Sequence, residues 1–316
     1  MKKTFAQGAA LAIAAGLLWS TIGFHAKDVL ATGVHWSILV LFRVSLAAAF
    51  LGMFCLVFRP SSLAVAWRDL PFFAAFGLLT QTLNYNLFFV ALSHLPTQIS
   101  YVLIYVASPV VMFGAAFLFR EPLTARKWAA LAVSLSGLVL VTNAWEPLVR
   151  SGSAVHGLSA IGVLAGIGAG IAYGSFSLFG KSGLRTHRPE TFLFWALVFS
   201  AAGQAVVVFA LGRGPEVLQA HSAANWGRFL WLGLGPTVGG YLFYAMALDR
   251  IEAGRAVLLA SIEPVSAGVL GFFLLEERMT AVQIIGAAFV LGAAFLVMRP
   301  VKPAMKASEA AGPVSD

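Results

Sequence analysis

Ten apolar stretches, each about as long as a bilayer core demands of a helix, follow one another along the chain with only short polar joints between them. Lipid offers the backbone no hydrogen-bond partners, so segments of this kind must satisfy their own N–H and C=O groups, as an α-helix does. They lie at 8–26, 36–58, 70–92, 97–119, 126–144, 157–180, 190–211, 228–248, 254–275 and 280–298. The joints carry turn signals such as Arg59-Pro60-Ser61-Ser62, Glu121-Pro122, Arg188-Pro189 and Arg213-Gly214-Pro215. The expected fold class is an all-α polytopic membrane protein. With 59% hydrophobic and 11% charged residues in a 316-residue chain, a soluble enzyme is excluded, because its surface would be one large apolar patch. The lone Cys55 removes both a disulfide framework and a thiolate metal site. A net charge of +8 is spread singly and in pairs between the apolar runs, which excludes a nucleic-acid partner and leaves the lipid bilayer.

Ten spans return the chain to the side on which it starts, and the Lys and Arg distribution chooses that side. With termini inside, fifteen basic residues face the cytoplasm: Lys2, Lys3, Arg59, Arg68, Arg120, Arg126, Lys127, Lys181, Arg185, Arg188, Arg250, Arg255, Arg299, Lys302 and Lys306. Five face outward, Lys27, Arg150, Arg213, Arg228 and Arg278. Both termini are therefore expected to be cytoplasmic. Residues 300–316, Pro-, Ala- and charge-rich without periodicity, are expected to form a disordered cytoplasmic tail.

The chain also repeats itself. Shifted by 154 residues, Gly8, Ala12, Gly16 and Ser20 fall on Gly162, Gly166, Gly170 and Gly174, so both stripes are small. At a shift of 156, Gly77-Leu78, Tyr85 and Ala91-Leu92 fall on Gly233-Leu234, Tyr241 and Ala247-Leu248. Pro109 matches Pro264 with one gap, and Glu121 and Thr124 match Glu277 and Thr280. The units expected are a first five-helix repeat over 1–146 and a second over 147–299. Five is odd, so the second repeat enters the membrane from the opposite side and the pair is inverted. Inverted halves around a midplane site are the architecture of many secondary transporters.

Ten spans in two inverted halves, the Trp19-Ser20 pair, Pro109 ahead of Phe119-Arg120-Glu121-Pro122-Leu123-Thr124, and Glu263-Pro264 ahead of Leu275-Glu276-Glu277-Arg278-Met279-Thr280 together resemble the EamA-type permeases of the drug/metabolite transporter superfamily. The aromatic-rich spans are most similar to the bacterial exporters of aromatic amino acids within that family. The resemblance implies a bacterial inner-membrane protein. It would export aromatic and other neutral amino acids, and with them small hydrophobic drugs, by alternating access.

The residues offer a site for such a substrate. Tyr101 and Tyr105 share a helix face, as do Gln81 and Tyr85, and Tyr241 and Tyr244 lie on the eighth span. Trp19 and Tyr173 correspond through the repeat, Trp195 stands in the seventh span, and Asn84 adds an amide beside Tyr85. Ser20 completes the set. An aromatic cavity with amides and hydroxyls suits a zwitterion bearing an apolar side chain. Pro109, Pro264, Gly235, Pro236 and Gly239 are candidate hinges, since each proline removes a backbone donor. Two charges, Arg43 and Glu263, fall inside spans, where ionised groups are costly and mark functional positions. They can couple transport, bind substrate or neutralise each other. No nucleophile elbow, zinc motif or acidic metal cluster appears, so no enzyme activity, metal or cofactor is expected. The run Gly174 to Ser182 spaces its glycines wrongly for a phosphate loop, which removes ATP. Oligomeric state leaves no mark on the sequence.

Overall fold

The computed structural model describes residues 2–150, 158–219, 221–275 and 278–298. The tail expected over 300–316 and the motif residue Glu277 lie outside them. In chain order the helices are α1 Lys2–Trp19, α2 Ile22–Ala31, α3 Trp36–Phe58, α4 Leu70–Gly77, α5 Asn84–His94 and α6 Thr97–Ile104. Then come α7 Ala107–Phe119, α8 Ala125–Val141, α9 Trp145–Arg150, α10 Ala160–Gly183, α11 Pro189–Ala210 and α12 Gly214–Val217. The last five are α13 Ala223–Leu232, α14 Tyr241–Arg250, α15 Ala253–Ala260, α16 Glu263–Leu275 and α17 Ala281–Met298. Two π-helical segments, Leu78–Leu83 and Gly233–Gly240, join α4 to α5 and α13 to α14. No strand occurs among the described residues.

Eight helical runs among the described residues are long and apolar enough to cross a membrane. Of the ten expected spans, the two outside this set are the fifth, where α8 has 17 residues, and the eighth, whose helix is diluted by Gly233, Gly235, Pro236, Gly239 and Gly240. Large apolar side chains such as Phe54, Phe58, Phe117, Phe273 and Leu274 are exposed on the outside of the bundle, where lipid can solvate them. The helix starts follow from local chemistry: Ser159, Thr124 and Ser222 side chains each accept a hydrogen bond from the backbone N–H three residues on, capping α10, α8 and α13.

The packing respects the repeat. The π-helical segments occupy equivalent positions in the two halves, and so do the breaks between α6 and α7 and between α15 and α16. Pro109 and Pro264 do not kink the middle of a helix. Each stands in the first turn of the helix that follows a break, where its missing N–H removes no interior bond. The Tyr105 carbonyl, four residues before Pro109, accepts the Ser108 N–H at 2.9 Å. The small-residue stripes fit against these breaks. A Cβ on Gly16 would lie 2.5 Å from the Ala260 carbonyl, and one on Gly170 would lie 2.8 Å from the Leu103 carbonyl. Both positions therefore need glycine for close approach. Equivalent helices also pack on each other, α3 on α11 and α8 on α17. In the second pair the closeness is reciprocal: a Cβ on Gly137 would meet the Gly286 carbonyl, and one on Gly286 the Gly137 carbonyl.

Candidate functional site

Where the two halves meet, repeat-related side chains touch. Tyr85 and Tyr241 stand 156 residues apart in the chain, and their hydroxyls share a hydrogen bond of 3.2 Å. Trp19 and Tyr173 meet edge-on with ring centroids 6.1 Å apart. Contact between equivalent residues places both pairs beside the pseudo-two-fold axis of the molecule. Trp19 also packs on Tyr241 and Tyr244, each at 5.2 Å, so one indole links both tyrosines of α14 to Tyr173 of α10. Its Nε1–H donates to the Pro236 carbonyl at 3.1 Å. That carbonyl belongs to the π-helical segment, whose widened turn frees backbone groups for side chains.

The same segment positions a charge. Pro236 has no N–H to give the Leu232 carbonyl, and the Thr237 hydroxyl donates to that carbonyl instead, at 2.7 Å. Thr237 Oγ1 in turn accepts from Arg43 Nε at 2.6 Å. The Arg43 guanidinium lies 5.2 Å from the centroid of the Tyr85 ring, a cation–π arrangement. Arg43 is only 4% exposed, and its Nη2 has no hydrogen-bond partner among the described residues. Glu263, half-buried at the start of α16, makes no ion pair with it, although the two feel each other electrostatically.

The remaining candidates divide. Gln81 is wholly buried, and neither its amide nitrogen nor its amide oxygen is paired among the described residues. Tyr105 is buried at the α6–α7 break. Asn84 donates to the Ala169 carbonyl at 2.9 Å and so ties α5 to α10. Ser20 donates to the Leu17 carbonyl at 2.7 Å, within its own helix end. Tyr101 is 38% exposed and edge-on to Phe88, and among the described residues its ring touches none of the central ones. Trp195 donates to the Leu63 carbonyl at 3.2 Å and packs with Phe194 and Phe199 on α11. Gly235, Pro236 and Gly239 lie in the second π-helical segment. Sequence reasoning missed Phe176, whose ring is 4.8 Å from Tyr241, and Ser177, whose hydroxyl pairs with the Tyr244 hydroxyl at 2.8 Å. The signal for both was their spacing from Tyr173, three and four residues, on one helix face.

A second polar cluster lies at one end of the bundle. Arg120 ends α7 in the left-handed conformation, with φ +56°, and the Glu121 N–H then reaches back six residues to the Ala115 carbonyl at 3.2 Å. This turn aims the Glu121 carboxylate at the start of α15, where it accepts from Ala253 N–H at 2.9 Å and Gly254 N–H at 3.3 Å. Lys181 Nζ pairs with Glu121 at 3.0 Å, and Lys127 Nζ at 3.6 Å. Lys127 also holds Glu252 at 3.0 Å, and Glu252 holds Arg255 at 2.8 Å. Burial pushes the Glu121 carboxyl up, but Lys181, the Ala253 N–H and Lys127 outweigh it and hold the group below its ordinary value.

The chain is similar to known proteins. The sequence profile of the EamA-like transporter family matches residues 6–143 and again 160–299. An uncharacterized transporter of Archaeoglobus fulgidus is 25% identical over 294 residues, covering 92% of this chain and 96% of its own. A riboflavin transporter of Rhizobium johnstonii is 22% identical over 290 residues, with 90% and 91% covered. One crystal structure superimposes with a TM-score of 0.76 at 19% identity, over 92% of this chain and 96% of that one, which speaks for the fold alone.

Proposed function

Because this chain belongs to the EamA-like transporter family and carries its two-repeat membrane fold, we propose that it exports aromatic and other neutral amino acids from the cytoplasm by alternating access. The observation that carries the reading is the ring cluster on the axis, where Trp19, Tyr85, Tyr173, Tyr241 and Tyr244 come from both halves. A site built from equivalent residues of two halves is the same site when the halves exchange conformations, so it can be presented to either side. Rings supply apolar area to an aromatic or aliphatic side chain without fixing its identity.

In this reading all ten helical runs cross the membrane and both termini are cytoplasmic. The Glu121 cluster then closes the cytoplasmic end, and admitting substrate from that side requires it to part. Pro109 and Pro264, beside the breaks that the glycine stripes touch, allow the half-helices to reorient.

The test is counterflow of labelled phenylalanine into proteoliposomes preloaded with single amino acids. Acceleration by aromatic and neutral amino acids over protein-free vesicles is the expected result, and no acceleration by any of them overturns the substrate. The relative named as a riboflavin transporter favours a second reading, transport of another planar metabolite through the same rings, which riboflavin as the preload distinguishes.

A further inference from the structure

We propose that Arg43 and Gln81 form a subsite for a carboxylate on the transported molecule, so that a free carboxylate is required of every substrate. The inference rests on the central ring cluster being the substrate site. Its evidence is a pair of vacant hydrogen-bonding groups, one on the guanidinium over the Tyr85 ring and one on the side chain a turn before Tyr85. Arg43 places its guanidinium over Tyr85, and Gln81 stands one turn before Tyr85 on the same helical run. Arg43 Nη2 and both polar atoms of Gln81 are buried without a partner among the described residues.

Buried polar atoms are almost always paired, and an unpaired charged donor is the costliest exception. Single buried atoms of Ser108, Ser134, Trp145 and His221 also lack a partner among the described residues, but Gln81 alone lacks one on both polar atoms and Arg43 alone leaves a guanidinium nitrogen open, whereas Asn84, Asn86, Gln204 and Lys127 have partners. The repeat sharpens the contrast. Gln81 corresponds at a shift of 156 to Thr237, and Thr237 already occupies Arg43 Nε. Nη2 of the same guanidinium is left without a partner. Glu263 does not fill it, since the two charges form no ion pair.

A carboxylate is an acceptor with two oxygens, suited to one guanidinium N–H and one amide N–H together. The Gln81 carbonyl oxygen remains as an acceptor for an adjacent ammonium group. A hydrophobic cation that lacks a carboxylate meets only repulsion from Arg43. This excludes cationic drugs, which the fold by itself would admit.

The experiment uses the full chain in proteoliposomes and three relatives of phenylalanine as competitors of labelled phenylalanine counterflow. 3-Phenylpropanoate keeps the carboxylate, whereas phenethylamine and phenylalaninamide lack it. The expected result is competition by 3-phenylpropanoate, with the other two weaker by about tenfold or more, the value of a charge-assisted hydrogen bond. Gln81→Leu raises the half-saturating phenylalanine concentration by about three- to tenfold, and Arg43→Gln raises it further and abolishes discrimination against the amide. Equal competition by phenethylamine or the amide overturns the subsite. If nothing exchanges, quenching of the intrinsic Trp fluorescence separates the two readings. Saturable quenching by 3-phenylpropanoate that Gln81→Leu weakens keeps the subsite and overturns transport of amino acids. Absence of quenching by any of the compounds overturns both. Because Gln81→Leu removes no charge, it tests the idea even if Arg43→Gln does not fold.

Discussion

Two polar clusters share this apolar bundle, and they are built on opposite terms. Around Glu121 every group is answered: the carboxylate has two ammonium groups and two backbone N–H donors, and Lys127, Glu252 and Arg255 continue the chain of pairs. Around Arg43 the groups are left open, with one guanidinium nitrogen and a whole amide unpaired. Both clusters join the halves of the molecule. A saturated cluster fixes one arrangement of its helices, whereas an open one keeps its strongest bonds for something that arrives later. The difference separates residues that hold a conformation from residues that recognise a ligand.

The comparison can be broken by mutation. Replacing Glu121 with Gln removes two ion pairs at a buried position, and the loss should approach about 3 kcal/mol. It is read as a lower unfolding temperature in detergent micelles, with half-saturation of transport unchanged in the protein that remains folded. If half-saturation shifts and stability does not, the cluster is not structural. Acidification reads the same residue. A carboxyl held below its ordinary value of 4.5 contributes fully above that pH, and its contribution is lost as pH falls through the lowered value. Wild-type stability should therefore drop in acid more steeply than that of Glu121→Gln, and parallel curves would contradict the assignment.

Smaller effects sharpen the other side. Thr237→Val leaves Arg43 Nε uncovered and removes the side-chain bond to the Leu232 carbonyl, costing about 1–2 kcal/mol in stability. Half-saturation by phenylalanine should rise with it, because the guanidinium is no longer aimed. A stability loss alone would make Thr237 a helix fastener only. Tyr241→Phe removes one hydroxyl from the axial pair and should cost about 1 kcal/mol or less. Its readout is the rate of exchange, expected to change more than the unfolding temperature.

Much of the architecture could be read from the chain because it is periodic. Apolar runs mark helices, and the shift of 154 to 156 residues brings Tyr85 onto Tyr241 and Gly16 onto Gly170 before any coordinate is known. The π-helical segments were not readable, since Leu78–Leu83 carries no proline or glycine to mark it and only Pro236 and the glycines of Gly233–Gly240 hint at the widened turn. Pairing was harder still. Arg43 and Glu263 invite a mutual ion pair on charge alone, yet Arg43 takes Thr237 and Tyr85, because partners 194 residues away are chosen by packing. For the same reason Lys181, which the sequence offers only as one of the basic residues on the cytoplasmic side, turns out to join α10 to Glu121.

The reciprocal fit of Gly137 on Gly286 has a consequence for symmetry itself. The two glycines stand at different positions of the repeat, since a shift of 156 carries Gly137 onto Ala293, but the helices they fasten, α8 and α17, are equivalent, and equivalent helices packed on each other are what an isologous dimer presents, here within one polypeptide. In a true homodimer, any side chain near the two-fold axis is present twice, and a guanidinium there would face its own copy. Joining both halves in a single chain lifts that restriction. The seventh span, from Glu190 to Leu211, has no basic residue, so the protein places one cation beside its axis without a second to repel it.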